Sequence, residues 1–162
     1  MRVGLIGHRG ERLGSSKRAI TLWIYEVLSF LFQDQEEQAM ICGGAEGADE
    51  LFGRVAHNFE NADLYLYLPV KGYRSKKMDP WLRTAAKSEV YMSEQWQPGL
   101  DSARDKFLIN NSDILLVVWD GIKEGGTWEA IEYAEAMGVP MIYFPQDYIG
   151  KEKERVLCQS KL

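Results

Sequence analysis

Chemistry in this chain gathers where polar side chains sit beside paired glycines. Residues 120–129 read Asp-Gly-Ile-Lys-Glu-Gly-Gly-Thr-Trp-Glu, directly after the apolar run 114–118 (Ile-Leu-Leu-Val-Val) and directly before a helical pattern that starts at Thr127. A strand, a glycine turn and a helix N-terminus in that order leave backbone N–H groups without intrahelical acceptors and place the positive end of the helix dipole at the strand's carboxyl edge. That combination suits a phosphate or another anion. Gly125 and Gly126 would let an anion approach a bare backbone. Thr127 can cap the helix through its hydroxyl, or leave the freed N–H groups to a phosphate and bond it too. Glu129 lies in the first helical turn, where the dipole favours a carboxylate whatever its task; it could orient ribose hydroxyls or act as a general acid or base. Asp120 stands at the mouth of the same turn.

Two further stretches repeat the arrangement. Residues 2–7 (Arg-Val-Gly-Leu-Ile-Gly) run into Gly7-His8-Arg9-Gly10, and residues 39–42 (Ala-Met-Ile-Cys) run into Gly43-Gly44-Ala45-Glu46-Gly47-Ala48-Asp49. Arg9 can neutralise a phosphate bidentately and His8 can donate to it; both are equally readable as surface loop residues. Gly43, Gly44 and Ala45 would admit the backbone-facing side of a ligand. Asp49 can accept from a ribose hydroxyl or serve as an N-terminal helix acid. Arg104 can reach the same region from a helix ahead of the third strand, or simply pair with Asp101 or Asp105. Lys71, Arg74, Lys76 and Lys77 form a basic loop that could close over an anion or stand solvated. Tyr73, Trp96 and Trp128 can stack on a base or belong to the core. With only His8 and His57 in the chain, a histidine metal site is not expected, and no Ser-His-Asp, Cys-His, Walker A or zinc-ligand spacing occurs.

These groups need elements to hold them. The stripe Ile20, Trp23, Ile24, Val27, Leu28, Leu31 predicts a helix with Ser15 and Ser16 as N-caps, and the off-stripe Leu22, Phe30 and Phe32 suggest a subunit interface and a homo-oligomer. Leu51, Phe52, Val55, Ala56 and Phe59 mark a second helix. Residues 63–68 read as a strand ended by Pro69, 80–87 as a helix, 89–92 as a short extra strand, 101–111 as a helix, 127–137 as a helix stopped at Gly138, and 139–144 as the last strand. Successive strand-then-helix units imply parallel strands. In such a sheet, ligands bind beyond the carboxyl ends of the strands where the winding reverses, so the three glycine turns are expected to share one crevice.

Composition sets the frame. The 162 residues fit one domain; 46% are hydrophobic and 27% charged, within the range of ordinary globular chains. No apolar run approaches membrane-spanning length, and two cysteines, Cys42 and Cys158, make no disulfide framework, so a cytoplasmic setting is expected, with Cys42 as buried packing. A net charge of −5 and a pI near 5.1 disfavour broad nucleic-acid binding.

Gly43-Gly44-Ala45-Glu46-Gly47-Ala48-Asp49 resembles the GGAxGAD motif of the SLOG superfamily (the Smf/DprA and LOG proteins), and Gly125-Gly126-Thr127 with Ala134 resembles its second, GGT-type motif. Residues 90–144, with WQPGLDSAR, SDILLVVWDG, GGT and EYAEAMGVP in order, are similar to the YpsA-type branch. The resemblance implies an α/β, single-domain Rossmann-like three-layer sandwich with a mostly parallel central sheet over residues 1–145, followed by a tail at 146–162. It also implies a nucleotide or nucleotide-derived ligand (nucleoside monophosphate, NAD or ADP-ribose type) bound for sensing or regulation, with no other cofactor required. LOG relatives hydrolyse the base–ribose bond of nucleoside 5′-monophosphates, and DprA relatives bind single-stranded DNA. LOG enzymes carry acids at the second and third positions after the motif threonine; here these are Glu129 and Ala130, so catalysis by that route would fall to Glu129. The Arg-Asn pair common in the YpsA-type branch is Arg104-Asp105 here.

Overall fold

In the computed structural model, residues 1–14 and 16–145 are described; Ser15, Cys158 and the 146–162 tail lie outside them. Six strands form one sheet: β1 (Arg2–Gly7), β2 (Gln38–Cys42), β3 (Ala62–Val70), β4 (Ala86–Ser93), β5 (Ile114–Val118) and β6 (Met141–Tyr143). Their order is β4-β3-β2-β1-β5-β6 and every pair is parallel, so the expected mostly parallel sheet is parallel throughout. The chain winds outward from β1 to β4, then returns to the other side of β1 for β5 and β6. The winding therefore reverses between β1 and β5, whose carboxyl ends meet in register at Gly7 and Val118.

Alternation along the strands divides the core between two faces. Val3, Leu5, Met40, Cys42, Leu64, Leu66, Leu116 and Val118 pack under α1 (Gly10–Leu13), α2 (Lys17–Leu31), α3 (Ala48–Ala56) and α4 (Pro80–Ala85). Ile6, Ile41, Tyr67, Leu115 and Val117 pack under α5 (Leu100–Asn110) and α6 (Gly126–Met137). Because β5 is covered on both faces, it reads as an unbroken apolar run. The result is a Rossmann-like three-layer sandwich. Among the described residues no helix is long and apolar enough to cross a membrane.

Two local expectations need correction. Pro69 does not end β3: the ladder to β4 passes over it, pairing Leu68 with Tyr91 and Val70 with Ser93, while β2 has already ended opposite Leu66. A residue with no neighbour on one side loses no ladder bond by lacking an N–H. Phe32 is buried, not part of an exposed face, because it turns edge-on to Phe59 with centroids 5.7 Å apart; Leu22 and Phe30 do remain exposed. The segment after Gly10 holds the one-turn α1 ahead of the long helix, and Ser16 occupies the N-cap of α2 as expected. Cys42 is fully buried, as its apolar run suggests.

Candidate ligand site

The three glycine turns do meet at the carboxyl edge of the sheet. They border a cavity of about 330 Å³ whose lining includes Gly7, His8 and Arg9 from the first turn, Gly43, Ala45 and Asp49 from the second, and Gly126 and Thr127 from the third. Arg104 forms part of its wall, as do four residues not singled out as ligand contacts in the sequence: Glu11, Arg12, Asp101 and Asp105. Gly44, Asp120, Gly125 and Glu129 do not border it.

The first turn is locked to β5. The His8 amide donates to the Val118 carbonyl at 3.1 Å, and the His8 carbonyl accepts from the Ala48 amide at 3.2 Å. A Cβ on Gly7 would stand 2.7 Å from Ala48 Cβ, so glycine is required there by packing. His8 is buried, with Nε2 2.9 Å from the Asp120 amide nitrogen and 3.0 Å from Asp120 Oδ1. Burial pulls its pKa below the usual histidine value, Asp120 opposes that pull and Arg12 adds to it. Asp120 itself is an organiser of the turn. Its Oδ2 accepts from Arg12 Nε at 3.0 Å and from Arg12 Nη2, and its Oδ1 accepts from the Ile122 amide at 3.0 Å. Burial would raise its pKa, but the Ile122 amide, Arg12 and His8 together hold it below the ordinary carboxylate value. Arg9 is exposed at the cavity, and its guanidinium has no hydrogen bond or ion pair among the described residues.

The second turn is filled by the protein itself. Arg104, 6% exposed, donates from Nη1 to the Gly43 carbonyl at 2.6 Å and from Nε to Asp105 Oδ1 at 2.7 Å, while Nη2 lies 3.7 Å from Asp101 Oδ1. The ordinary pairing with Asp101 and Asp105 is thus present, together with a structural grip on β2. A Cβ on Gly43 would be 2.5 Å from Arg104 Nη1, so the glycine makes room for arginine and not for a ligand. Gly44 adopts φ +70° against Leu68 and Met78, and its carbonyl accepts from Arg74 Nη1 at 3.0 Å. Asp49 Oδ2 accepts from the Ala45 amide at 2.9 Å, which makes it the clasp of the turn. Burial raises its pKa to about 6 even though Arg104 and the turn's amides favour the ionised form.

The third turn is open. Gly125, at φ +88°, is the N-cap of α6, so Thr127 lies inside the first turn and its hydroxyl makes no capping bond. The Glu129 amide donates to the Gly125 carbonyl at 3.1 Å, whereas the amides of Gly126, Thr127 and Trp128 have no acceptor among the described residues. A Cβ on Gly126 would meet nothing within 4 Å. Behind this turn Trp119 and Trp128 stack with centroids 5.2 Å apart, and Trp119 Nε1 donates to the Ile122 carbonyl at 2.9 Å, holding the turn against the sheet. Trp128 is thereby engaged, Tyr73 lies against Arg104 at 6.0 Å, and Trp96 is exposed away from the cavity.

A second cavity, of about 430 Å³, lies between α5 and α6 and shares Asp101, Asp105, Gly126 and Ala130 with the first. Glu129, Lys106 and Tyr133 belong to this one. Asp101 Oδ1 is a buried oxygen without a hydrogen-bond partner among the described residues. Burial raises the pKa of Asp105, Arg104 works against that, and Asp101 and Glu129 reinforce it. The composite site therefore offers amide and hydroxyl donors at the third turn, the Arg9 guanidinium at the first, and carboxylate acceptors on α5 and α6, a distribution suited to a ligand with an anionic end and a hydroxyl-bearing body. Lys71, Lys76 and Lys77 border neither cavity, and no group of three metal-ligating side chains exists among the described residues.

No protein-family model and no curated protein matches the chain. A solved structure is similar in fold: the X-ray structure of TM1055, a structural genomics target, superposes with a TM-score of 0.59 at 19% identity, covering 86% of this chain and 71% of that one. The likeness bears on the α/β fold alone.

Proposed function

We propose that this chain binds a nucleotide or nucleotide-derived ligand, of the nucleoside monophosphate, NAD or ADP-ribose type, at the carboxyl edge of its sheet, and that it does so for sensing or regulation. The reading agrees with the resemblance to the SLOG superfamily and its YpsA-type branch. The observation that carries it is the open start of α6: the amides of Gly126, Thr127 and Trp128, without acceptors among the described residues, and the Thr127 hydroxyl, beside a cavity that Arg9, likewise unpaired among the described residues, also borders. In this reading the phosphate lies on Gly126 and Thr127 with Arg9 beside it, and the ribose hydroxyls donate to carboxylates of α5 and α6, Glu129 among them. Calorimetric titration with AMP, NAD and ADP-ribose tests the site. Thr127→Ala and Gly126→Val should each weaken binding at least tenfold, and undiminished affinity in both variants refutes it.

A second reading is a nucleoside 5′-monophosphate N-glycosidase. It is favoured by the placement of Glu129 next to Asp105, two carboxyl groups in adjoining parts of one site with one of them shifted toward the protonated form. A protonated carboxyl can give its proton to the departing base while a carboxylate takes one from the water that attacks the ribose C1′. Release of adenine from AMP, abolished by Glu129→Gln, would favour this reading; intact AMP after prolonged incubation would leave binding alone.

A further inference from the structure

His8 is the least exposed polar side chain bordering the first cavity, at 3%. Its Nε2 lies 2.9 Å from the Asp120 amide nitrogen, with the amide proton aimed at it, and 3.0 Å from Asp120 Oδ1; since an amide nitrogen always carries its proton, the neutral ring that satisfies it accepts at Nε2. The ring's own proton then resides on Nδ1. That nitrogen has no hydrogen-bond partner among the described residues, and it is not one of the polar atoms sealed from solvent. His8 borders the cavity, and Nδ1 is the ring position that the described residues leave uncommitted.

We infer that His8 is a proton-coupled binding residue: it donates Nδ1–H to an anion held at the start of α6, and it takes up a second proton at Nε2 from solvent when that anion arrives. The inference rests on the nucleotide-binding reading and specifies how that site responds to charge. Free of ligand the ring is neutral at pH 7, because burial and the neighbouring Arg12 disfavour the imidazolium more than Asp120 favours it. Arg9, also at this edge, opposes a second positive charge, and Glu11 supports one. Asp49 on α3 and Asp101, Arg104 and Asp105 on α5 are the remaining charged residues of the cavity; Asp49 accepts from the Ala45 amide and Arg104 donates to Asp105. An incoming phosphate brings up to two negative charges and shifts this balance toward the protonated ring. Asp120 Oδ1 lies 3.0 Å from the same Nε2 and accepts the new proton once a small shift of the ring breaks the amide contact.

Nitrogen-15 NMR of the imidazole groups in the full chain tests this, with His57→Gln identifying the other histidine. The free protein at pH 7.5 should show the Nδ1–H tautomer of His8, and saturating AMP or inorganic phosphate should make its proton affinity at least tenfold higher. Calorimetry with AMP at pH 7, in two phosphate-free buffers of unequal ionisation heat, should show net proton uptake. His8→Asn, which keeps a neutral donor near the Nδ1 position, should still bind AMP within about tenfold and lose that uptake. An Nε2–H tautomer in the free protein, or AMP bound with the His8 titration unmoved, overturns the inference while leaving the nucleotide reading intact. Failure of AMP, ADP-ribose and inorganic phosphate to bind at all overturns both.

Discussion

The turns at 43–47 and 121–126 each follow an apolar strand, carry several glycines and lead into a helix, yet the protein fills one and leaves the other vacant of side chains. In the first, Arg104 occupies the space beside Gly43, Leu68 and Met78 occupy the space beside Gly44, and the backbone of residues 8–10 lies against Gly47. In the second, Gly126 has no neighbour within 4 Å of a would-be Cβ and Gly125 has only Arg12 Nη1 at 3.6 Å. A glycine marks a backbone that something approaches closely; what approaches can be the protein's own side chains. The 43–47 turn is scaffold, the 121–126 turn is the end proposed to dock the ligand, and substitutions should separate the two roles.

Gly47→Val should have the largest effect. Its φ of +94° excludes a β-branched residue and its Cβ would lie 2.6 Å from the Gly10 nitrogen, so a loss on the order of 5 kcal/mol, read as a collapse of the urea midpoint, is expected. Arg104→Met comes next, at about 3 to 4 kcal/mol, because it strips the Gly43 carbonyl and Asp105 of a buried partner. The clasp itself should make stability depend on pH. With the Asp49 pKa raised from 3.8 to about 6 in the fold, its contribution is complete below pH 3.8 and disappears as pH rises through about 6, up to about 3 kcal/mol in all. His8, whose pKa is lowered, contributes the opposite slope below its ordinary value of 6.5. The Asp49 share is therefore read as the difference between the parent chain and Asp49→Asn, which should lose less stability between pH 4 and pH 7. Gly126→Ala should change folding stability by less than about 1 kcal/mol, since the first position of a helix tolerates alanine, while AMP affinity falls at least tenfold. A large folding defect there would erase the contrast between the turns.

The sheet was legible in the sequence because β1, β2 and β5 end in glycine turns and the central run, 114–118, is apolar without interruption. The convergence of the three turns followed from parallel winding alone. What stayed hidden was long-range pairing. Arg12 meets Asp120 across 108 positions, and nothing local to either residue announces it. Arg104 was legible as a cation near the site, but not as the reason Gly43 is glycine. Thr127 reads as a cap because threonine often is one; Gly125, at positive φ, takes that position and leaves the hydroxyl free. Pro69 reads as a strand end only if both its neighbours are assumed present. Glu129 lies on the side of α6 that borders the second cavity and misses the first, although Thr127 and Ala130 border it, a matter of helix phase that the spacing Gly-Gly-Thr-x-Glu does not announce.

Whether an anion docks at the open turn and not at the filled one is tested most directly by an amide proton–nitrogen NMR titration with AMP. The amides of Gly126, Thr127 and Trp128 should move most, those of His8 and Arg9 should follow, and those of Gly43 and Gly44 should stay nearly still. Shifts concentrated at residues 43–49, with the start of α6 unmoved, would contradict docking at the open turn.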